Sequence, residues 1–325
     1  MLSLIVACLA LGFDEGGERP CLIVVVGAPG APEYDDPFRR ASLRWQAAAR
    51  QGGAEVVRIG PVEGATEKDA PGTPDDREKL RQTLARKAAE PGLGPVWLVL
   101  VGHGSWDGKV AKFNLRGPDV SDVDLAAWLE PMARPVAVID GSSASGPFLS
   151  RLSKPGRVIV TATKSGDEQN FARLGQYLAE AVADPTADLD KDGQVSLLEA
   201  FVTASARVEE FYQSKNRLAT EHPLIDDNGD KLGTPADWFR GVRATRKASS
   251  GAAVDGPRAH QFHLVPSPVE KSLPPATRRR RDELEIMIAA LRERKQSLGE
   301  DAYYVQLEPL MLELARLYDT TPTPR

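Results

Sequence analysis

Two short apolar runs limit this chain more than any other feature. Val96-Trp97-Leu98-Val99-Leu100-Val101 is closed by Gly102-His103-Gly104. Val136-Ala137-Val138-Ile139 is closed by Asp140-Gly141-Ser142-Ser143-Ala144-Ser145-Gly146. Runs this short, rich in Val and Ile and ended by glycine, read as strands buried on both faces, which pair in a parallel sheet. Chemistry in open parallel sheets sits beyond the carboxyl ends of the strands. One strand end offers a histidine between glycines, and the other offers a row of hydroxyls.

The rest of the chain alternates strands with helices around these runs. Cys21–Val26, Glu55–Ile59 and 157–163 are predicted strands. A helix opened by Pro37 turns Phe38, Ala41, Trp45 and Ala48 inward and stops at Gly52-Gly53. A loop rich in glycine, proline and acid over 60–76 leads to Thr73-Pro74-Asp75, which begins a helix carrying Leu80 and Leu84. Asp107-Gly108 has turn chemistry, 109–115 alternates like a short strand, and Ser121 caps a helix through Trp128 and Leu129. Helices are also expected over 168–183, with Phe171, Leu174, Leu178 and Val182 inward, and over 197–212. Thr234-Pro235 opens another through Trp238 and Val242. Such alternation predicts an α/β fold, a three-layer αβα arrangement with a mostly parallel sheet.

A Gly-, Ser- and Pro-rich stretch over 247–275 reads as a linker. Beyond it, Leu284, Ile288, Leu291 and Leu298 form one seam, Gly299 turns, and Leu307, Met311, Leu314 and Tyr318 form another. This is an α-helical hairpin over 276–325, a candidate surface for self-association. Arg278 to Arg281 is followed at once by Asp282, Glu283 and Glu285, as on a solvated helix face. The main domain is then 21–246. Leu2 to Gly12 suits the apolar region of a signal peptide within a leader over 1–20, and Ile5-Val6-Ala7-Cys8 resembles a bacterial lipoprotein box. Either reading makes the protein exported, with membrane attachment only through lipidation at Cys8; a buried strand or a mis-assigned start is the alternative. The formal net charge of -5 argues against a nucleic-acid partner. Cys8 and Cys21 are too few for a disulfide framework, and Cys21 opens a buried strand, as an inert core thiol would.

The most specific motif is Asp188-Leu189-Asp190-Lys191-Asp192-Gly193-Gln194-Val195-Ser196-Leu197-Leu198-Glu199. A calcium loop of the EF-hand type takes oxygen ligands from positions 1, 3, 5, 7, 9 and 12, with glycine at 6. Asp188, Asp190 and Asp192 fill the first three, Gln194 offers its backbone carbonyl, Ser196 acts through water, and Glu199 is the bidentate ligand. The expected cofactor is Ca2+. A weaker second site is Asp226, Asn228 and Asp230, with Asp237 at the twelfth position. There Lys231 replaces the turn glycine and Gly233 the apolar residue, so a plain turn fits equally well.

Acyl transfer needs a nucleophile, a base and oxyanion donors. His103 is the candidate base, Ser142, Ser143 or Ser145 the candidate nucleophile, and the N–H groups near Gly104 and Ser143 the candidate donors. The same residues also fit a tight strand exit and a capped helix. The run of a strand, His103-Gly104, Asp107-Gly108 and Lys112-Phe113 resembles the legumain-type branch of the caspase-like cysteine peptidases. In that family a second strand ends in a polar residue, a small residue, the nucleophilic Cys and then Ser-Gly. Matching Ser145-Gly146 to that Ser-Gly puts Ser143 where the Cys belongs, 40 residues after His103.

A thiol is partly ionised near neutrality, whereas a serine hydroxyl needs a base in direct contact and a group orienting that base. Asp140 is the candidate for that orienting role. The resemblance therefore implies a caspase-like fold with a degenerate peptidase site, His103 and Ser143 as remnants and Gly104 as oxyanion-hole backbone. The expected function is a calcium-binding scaffold for a protein or peptide partner. The alternative is an active endopeptidase using the Ser143/His103 dyad.

Overall fold

The first strand buries both of its faces. In β1 (Cys21–Val26), Leu22, Val24 and Val26 enter one hydrophobic core, and Cys21, Ile23 and Val25 enter another. This period of two over a continuous apolar run is what a central parallel strand requires. The structure is a computed structural model and describes residues 19–61 and 75–319. Cys8 and the expected leader cleavage region lie outside the described residues, as does 62–74 of the acid-rich loop.

After β1 come α1 (Pro32–Gly52), β2 (Glu55–Ile59), α2 (Asp76–Ala89) and β3 (Val96–Val101). A small antiparallel unit follows, β4 (Gly104–Trp106), β5 (Ala111–Phe113) and β6 (Val120–Ser121). Then come α3 (Asp122–Leu129), β7 (Val136–Asp140), α4 (Gly146–Leu152) and β8 (Arg157–Thr161). The chain continues through α5 (Leu174–Ala181), α6 (Leu197–Ser214), β9 (Leu224–Asp226), β10 (Thr234–Pro235) and a hairpin of β11 (Phe239–Arg240) and β12 (Arg243–Ala244). It ends with α7 (Pro268–Ser272), α8 (Pro275–Glu293), α9 (Lys295–Leu298) and α10 (Glu300–Asp319).

The main sheet has seven strands in the order β10-β9-β8-β7-β3-β1-β2. β2, β1, β3, β7 and β8 run parallel, and β9 and β10 add an antiparallel edge. Helices α1, α5 and α6 cover one face, and α2, α3 and α4 cover the other. The expected α/β class, three layers around a mostly parallel sheet with a C-terminal helical hairpin, is the architecture found.

Several local expectations are corrected. Helix α1 begins at Pro32, where the missing N–H costs nothing, and Pro37 lies inside it. Helix α5 starts only at Leu174, because the Glu168 side chain instead accepts the N–H groups of Lys164 at 3.0 Å and His222 at 3.2 Å. Thr234-Pro235 is strand β10, since Thr234 pairs with Ile225 across the sheet edge; only one 3-10 turn follows before the β11–β12 hairpin.

The stretch 247–275, read as a linker, is packed: Ala259, Phe262 and Leu264 are buried in the core against α6. In the hairpin, Tyr303, Leu307, Leu310, Leu314 and Leu317 are the less exposed side of α10, whereas Met311 and Tyr318 of the expected seam are exposed. Helix α10 carries apolar residues on two adjoining faces, so periodicity alone does not choose between them.

Candidate functional site

Strands β3 and β7 are neighbours, with Leu100 opposite Asp140, so the residues just beyond the two strand ends meet. The meeting is at the backbone. A Cβ on Gly104 would lie 2.2 Å from the Ser143 carbonyl oxygen and 2.8 Å from Ser142 Oγ, so only glycine fits. The Gly104 N–H donates to Ser143 Oγ at 3.2 Å, and that hydroxyl donates back to the Gly104 carbonyl at 3.1 Å. Both hydrogen-bonding roles of the Ser143 hydroxyl are thereby filled, and the residue is 3% exposed.

His103 faces elsewhere. Its Nε2 lies 3.1 Å from the Pro29 carbonyl oxygen, and an oxygen that only accepts assigns the proton to Nε2. Tyr34, Phe38 and Phe171 enclose the ring at centroid distances of 4.5, 5.1 and 5.9 Å. Burial lowers the His103 pKa and so favours the neutral imidazole, against the Pro29 hydrogen bond. Asp140 does not orient this ring. Its Oδ1 accepts the Ser142 N–H at 3.0 Å and the Ser142 hydroxyl at 2.6 Å, while Oδ2 is buried without a partner. Burial raises the Asp140 pKa to about 6. Ser145 Oγ accepts the N–H groups of Ala162 and Thr163, each at 3.1 Å, and so stitches the loop after β7 to the end of β8. Ser143 and Ser145 thus hold neighbouring strand ends together while Ser142 bonds within its own loop, and the expected dyad is brought into one region without being joined.

The acidic loop is arranged differently. Ligand oxygens of Asp188, Asp190 and Asp192 lie within 4.8 Å of one another. Lys191 N–H donates to Asp188 Oδ1 at 2.6 Å and Gly193 N–H to Asp188 Oδ2 at 3.1 Å. Asp192 N–H donates to Asp190 Oδ1 at 3.3 Å, and Gln194 N–H donates to Asp192 Oδ1 at 3.0 Å. A carboxylate oxygen that accepts one N–H keeps a second lone pair for a cation. Glu199 is 1% exposed; its Oε1 accepts the N–H groups of Leu189 at 2.8 Å and Asp190 at 3.3 Å. Its Oε2 accepts the N–H and hydroxyl of Ser196, both at 2.8 Å, completing a capping box at the start of α6.

Among the described residues, no lysine or arginine side chain makes an ion pair with Asp188, Asp192 or Glu199. His260 was missed by sequence reasoning: its Nε2 lies 2.9 Å from Asp190 Oδ2, and it groups with Asp190 and Glu199 within 4.8 Å. It sits 70 residues from Asp190, so no local spacing announces it. Asp226 ends β9 and Asn228 and Asp230 lie in the turn after it, while Asp237 is exposed on the 3-10 turn after β10.

No family model and no curated protein matches the chain. Among solved structures it is similar to caspase-1 from Spodoptera frugiperda, with a TM-score of 0.38 and 11% identity over 65% of this chain and 87% of that one. It is similar to the Drosophila initiator caspase Dronc, with a TM-score of 0.37 and 10% identity over 65% of this chain and 80% of that one. For Raptor of Chaetomium thermophilum the TM-score is 0.33 with 8% identity, over 51% of this chain and 17% of that one. The α/β architecture itself rests on the strand order and register given above.

Proposed function

We propose that this chain is a calcium-binding α/β protein on a caspase-like scaffold, and that its His103/Ser143 pair does not hydrolyse peptides. The carrying observation is the convergence of the Asp188, Asp190 and Asp192 oxygens within 4.8 Å of one another. Gly193 holds the turn at φ 89°. A hard cation takes several such oxygens. Asp188, Asp190 and Asp192 supply three carboxylates, Gln194 its carbonyl and Ser196 a water-mediated contact. Glu199 is the fourth carboxylate, and it binds the ion by giving up hydrogen bonds that its two oxygens now accept from Leu189, Asp190 and Ser196. Asp226, Asn228 and Asp230 form a second, smaller set. His260 would compete with the ion for Asp190.

The degenerate reading of the strand ends is supported by their hydrogen bonds. A nucleophilic serine must give its proton to a base in direct contact. Ser143 instead gives it to Gly104, and His103 gives its own to Pro29. The caspase-like assignment rests on the motif order, with His103-Gly104 past β3 and Ser143 past the adjacent β7. The partner on this reading is a protein or peptide, met by an exported chain through its surface loops or hairpin. Tyr304, Val305, Met311 and Leu312 are exposed on α10, which fits self-association there.

The test is calorimetric titration of chelator-treated protein with calcium chloride, for wild type and Glu199→Gln. Saturable heat that is lost or strongly weakened in the variant supports the reading. No heat in wild type, or an unchanged isotherm in Glu199→Gln, removes it.

A further inference from the structure

The turn after β9 repeats the backbone of the first acidic loop position by position. In the first loop the fourth and sixth N–H groups, Lys191 and Gly193, bind the two oxygens of Asp188. In the second, Gly229 and Lys231 at the same offsets bind Asp226 Oδ1 at 2.9 Å and Oδ2 at 3.1 Å. The fifth and seventh N–H groups, Asp230 and Leu232, bind Asn228 Oδ1 at 2.7 Å and Asp230 Oδ1 at 2.8 Å. The left-handed residues also coincide. Lys191 and Gly193 have φ 66° and 89°, and Gly229 and Lys231 have φ 82° and 70°. Lys231 therefore takes the backbone conformation that glycine supplies in the first loop.

The twelfth residue of that turn, Asp237, is exposed and takes no part. Its place is taken from 29 residues beyond Asp226. Asp255 Oδ1 accepts the N–H groups of Asp227 at 2.9 Å and Asn228 at 3.2 Å, the second and third positions. Asp255 Oδ2 accepts the Thr234 hydroxyl at 2.6 Å, the ninth position. Glu199 binds the second, third and ninth positions of its own loop in the same way.

A separate observation points to a cation ligand at this turn. Asp230 Oδ2 is sealed from solvent and has no hydrogen-bond partner. It belongs to a carboxylate close enough to Asp226 for its charge to act there. Asp226 and Asp255 are 1% and 2% exposed, and among the described residues neither they nor Asp230 makes an ion pair with a lysine or arginine. Buried carboxylates left without a counter-charge are costly.

We propose that Asp255 completes a second divalent-cation site with Asp226, Asn228, Asp230 and the Leu232 carbonyl, a hard-oxygen set suited to calcium. This rests on the calcium reading of the first loop and extends it. The segment that delivers Asp255 also meets the first loop. His260 bonds to Asp190, the Leu197 N–H donates to the Phe262 carbonyl at 2.8 Å, and the Ser267 N–H donates to Gln194 Oε1 at 3.0 Å. One strap thus runs from the second site to the first.

The full chain, stripped with chelator and titrated with calcium chloride alone, tests this by stoichiometry. Wild type and Asp237→Asn should each bind about two ions, and Glu199→Gln and Asp255→Asn about one each. Thermal unfolding in calcium-free buffer checks that Asp255→Asn is folded. Asp230→Asn, which alters a less buried ligand, should lose the same ion. The proposal is overturned if wild type binds one ion and Glu199→Gln none, in which case the first site stands alone. It is equally overturned if Asp255→Asn and Asp230→Asn still bind two. Absence of binding in wild type removes both sites.

Discussion

The hydroxyl of Ser143 donates to the carbonyl oxygen of Gly104 at 3.1 Å and accepts that residue's N–H at 3.2 Å. Ser143, the residue that the sequence resemblance sets at a nucleophile position, therefore joins two strand ends. Ser143→Ala should leave the Gly104 N–H without this acceptor and lower stability by about 1–3 kcal/mol. Urea unfolding measures the loss. Wild type and Ser143→Ala should show the same background rate on peptides bearing Asn, Asp, Arg or Lys at the cleavage position. A wild-type rate above that of the variant would restore a catalytic role.

Asp140 carries a pH signature. Burial raises its folded pKa to about 6 from an ordinary value of 3.8. The folded state therefore binds this proton more tightly than the unfolded chain. The stabilisation is fully present below the unfolded value and is lost as pH rises through about 6. The change is roughly 2 kcal/mol between pH 4 and pH 7. Asp140→Asn removes the titration while keeping an acceptor for the Ser142 N–H. The stability difference between wild type and variant, followed by urea unfolding across that pH range, should therefore slope downward with pH. A flat difference would contradict the assignment.

The hairpin is tied down by a buried ion pair. Arg281 of α8 meets Glu270 of α7 through both terminal guanidinium nitrogens, one contact at 2.9 Å, and each residue is 8% exposed. Glu270→Gln leaves a buried guanidinium with weaker compensation. Asp282 at 2.7 Å still offsets part of the charge. The expected loss is about 3 kcal/mol, toward the low end for breaking a buried pair. Chemical unfolding that detects less than about 1 kcal/mol would show the pair to behave as a surface one.

Calcium should raise stability through the first loop alone if the second site is removed. With Asp255→Asn, free calcium at a hundred times the dissociation constant should add about 2.7 kcal/mol. The same increment should vanish in the Glu199→Gln, Asp255→Asn double variant. Thermal scans with and without chelator read both.

The sheet was legible because its strands are simple. Cys21–Val26 and Val96–Val101 are buried on both faces, so their continuous apolar runs admit little else. Ser121 announced its helix and forms a capping box; Ser196, read only as a calcium ligand, forms one as well. Where a side chain serves a distant partner, local pattern misled. Glu168 continues the helical spacing into α5, yet its carboxylate holds His222, 54 residues away. The acidic loop over 188–199 was readable because its carboxylates lie within twelve consecutive positions. Asp255 and His260 were not, because they reach their loops from a stretch whose composition suggested a linker. His103 and Ser143 were placed on neighbouring strand ends by pattern. Which way their polar atoms point depends on Pro29 and Gly104, which spacing does not encode.

The most direct measurement is a crystal structure of the full chain grown with calcium, with anomalous scattering recorded. The account predicts a peak about 2.3–2.6 Å from oxygens of Asp188, Asp190, Asp192, Glu199 and the Gln194 backbone. An ordered loop with the Asp188 and Asp190 carboxylates in place and no peak between them would contradict it.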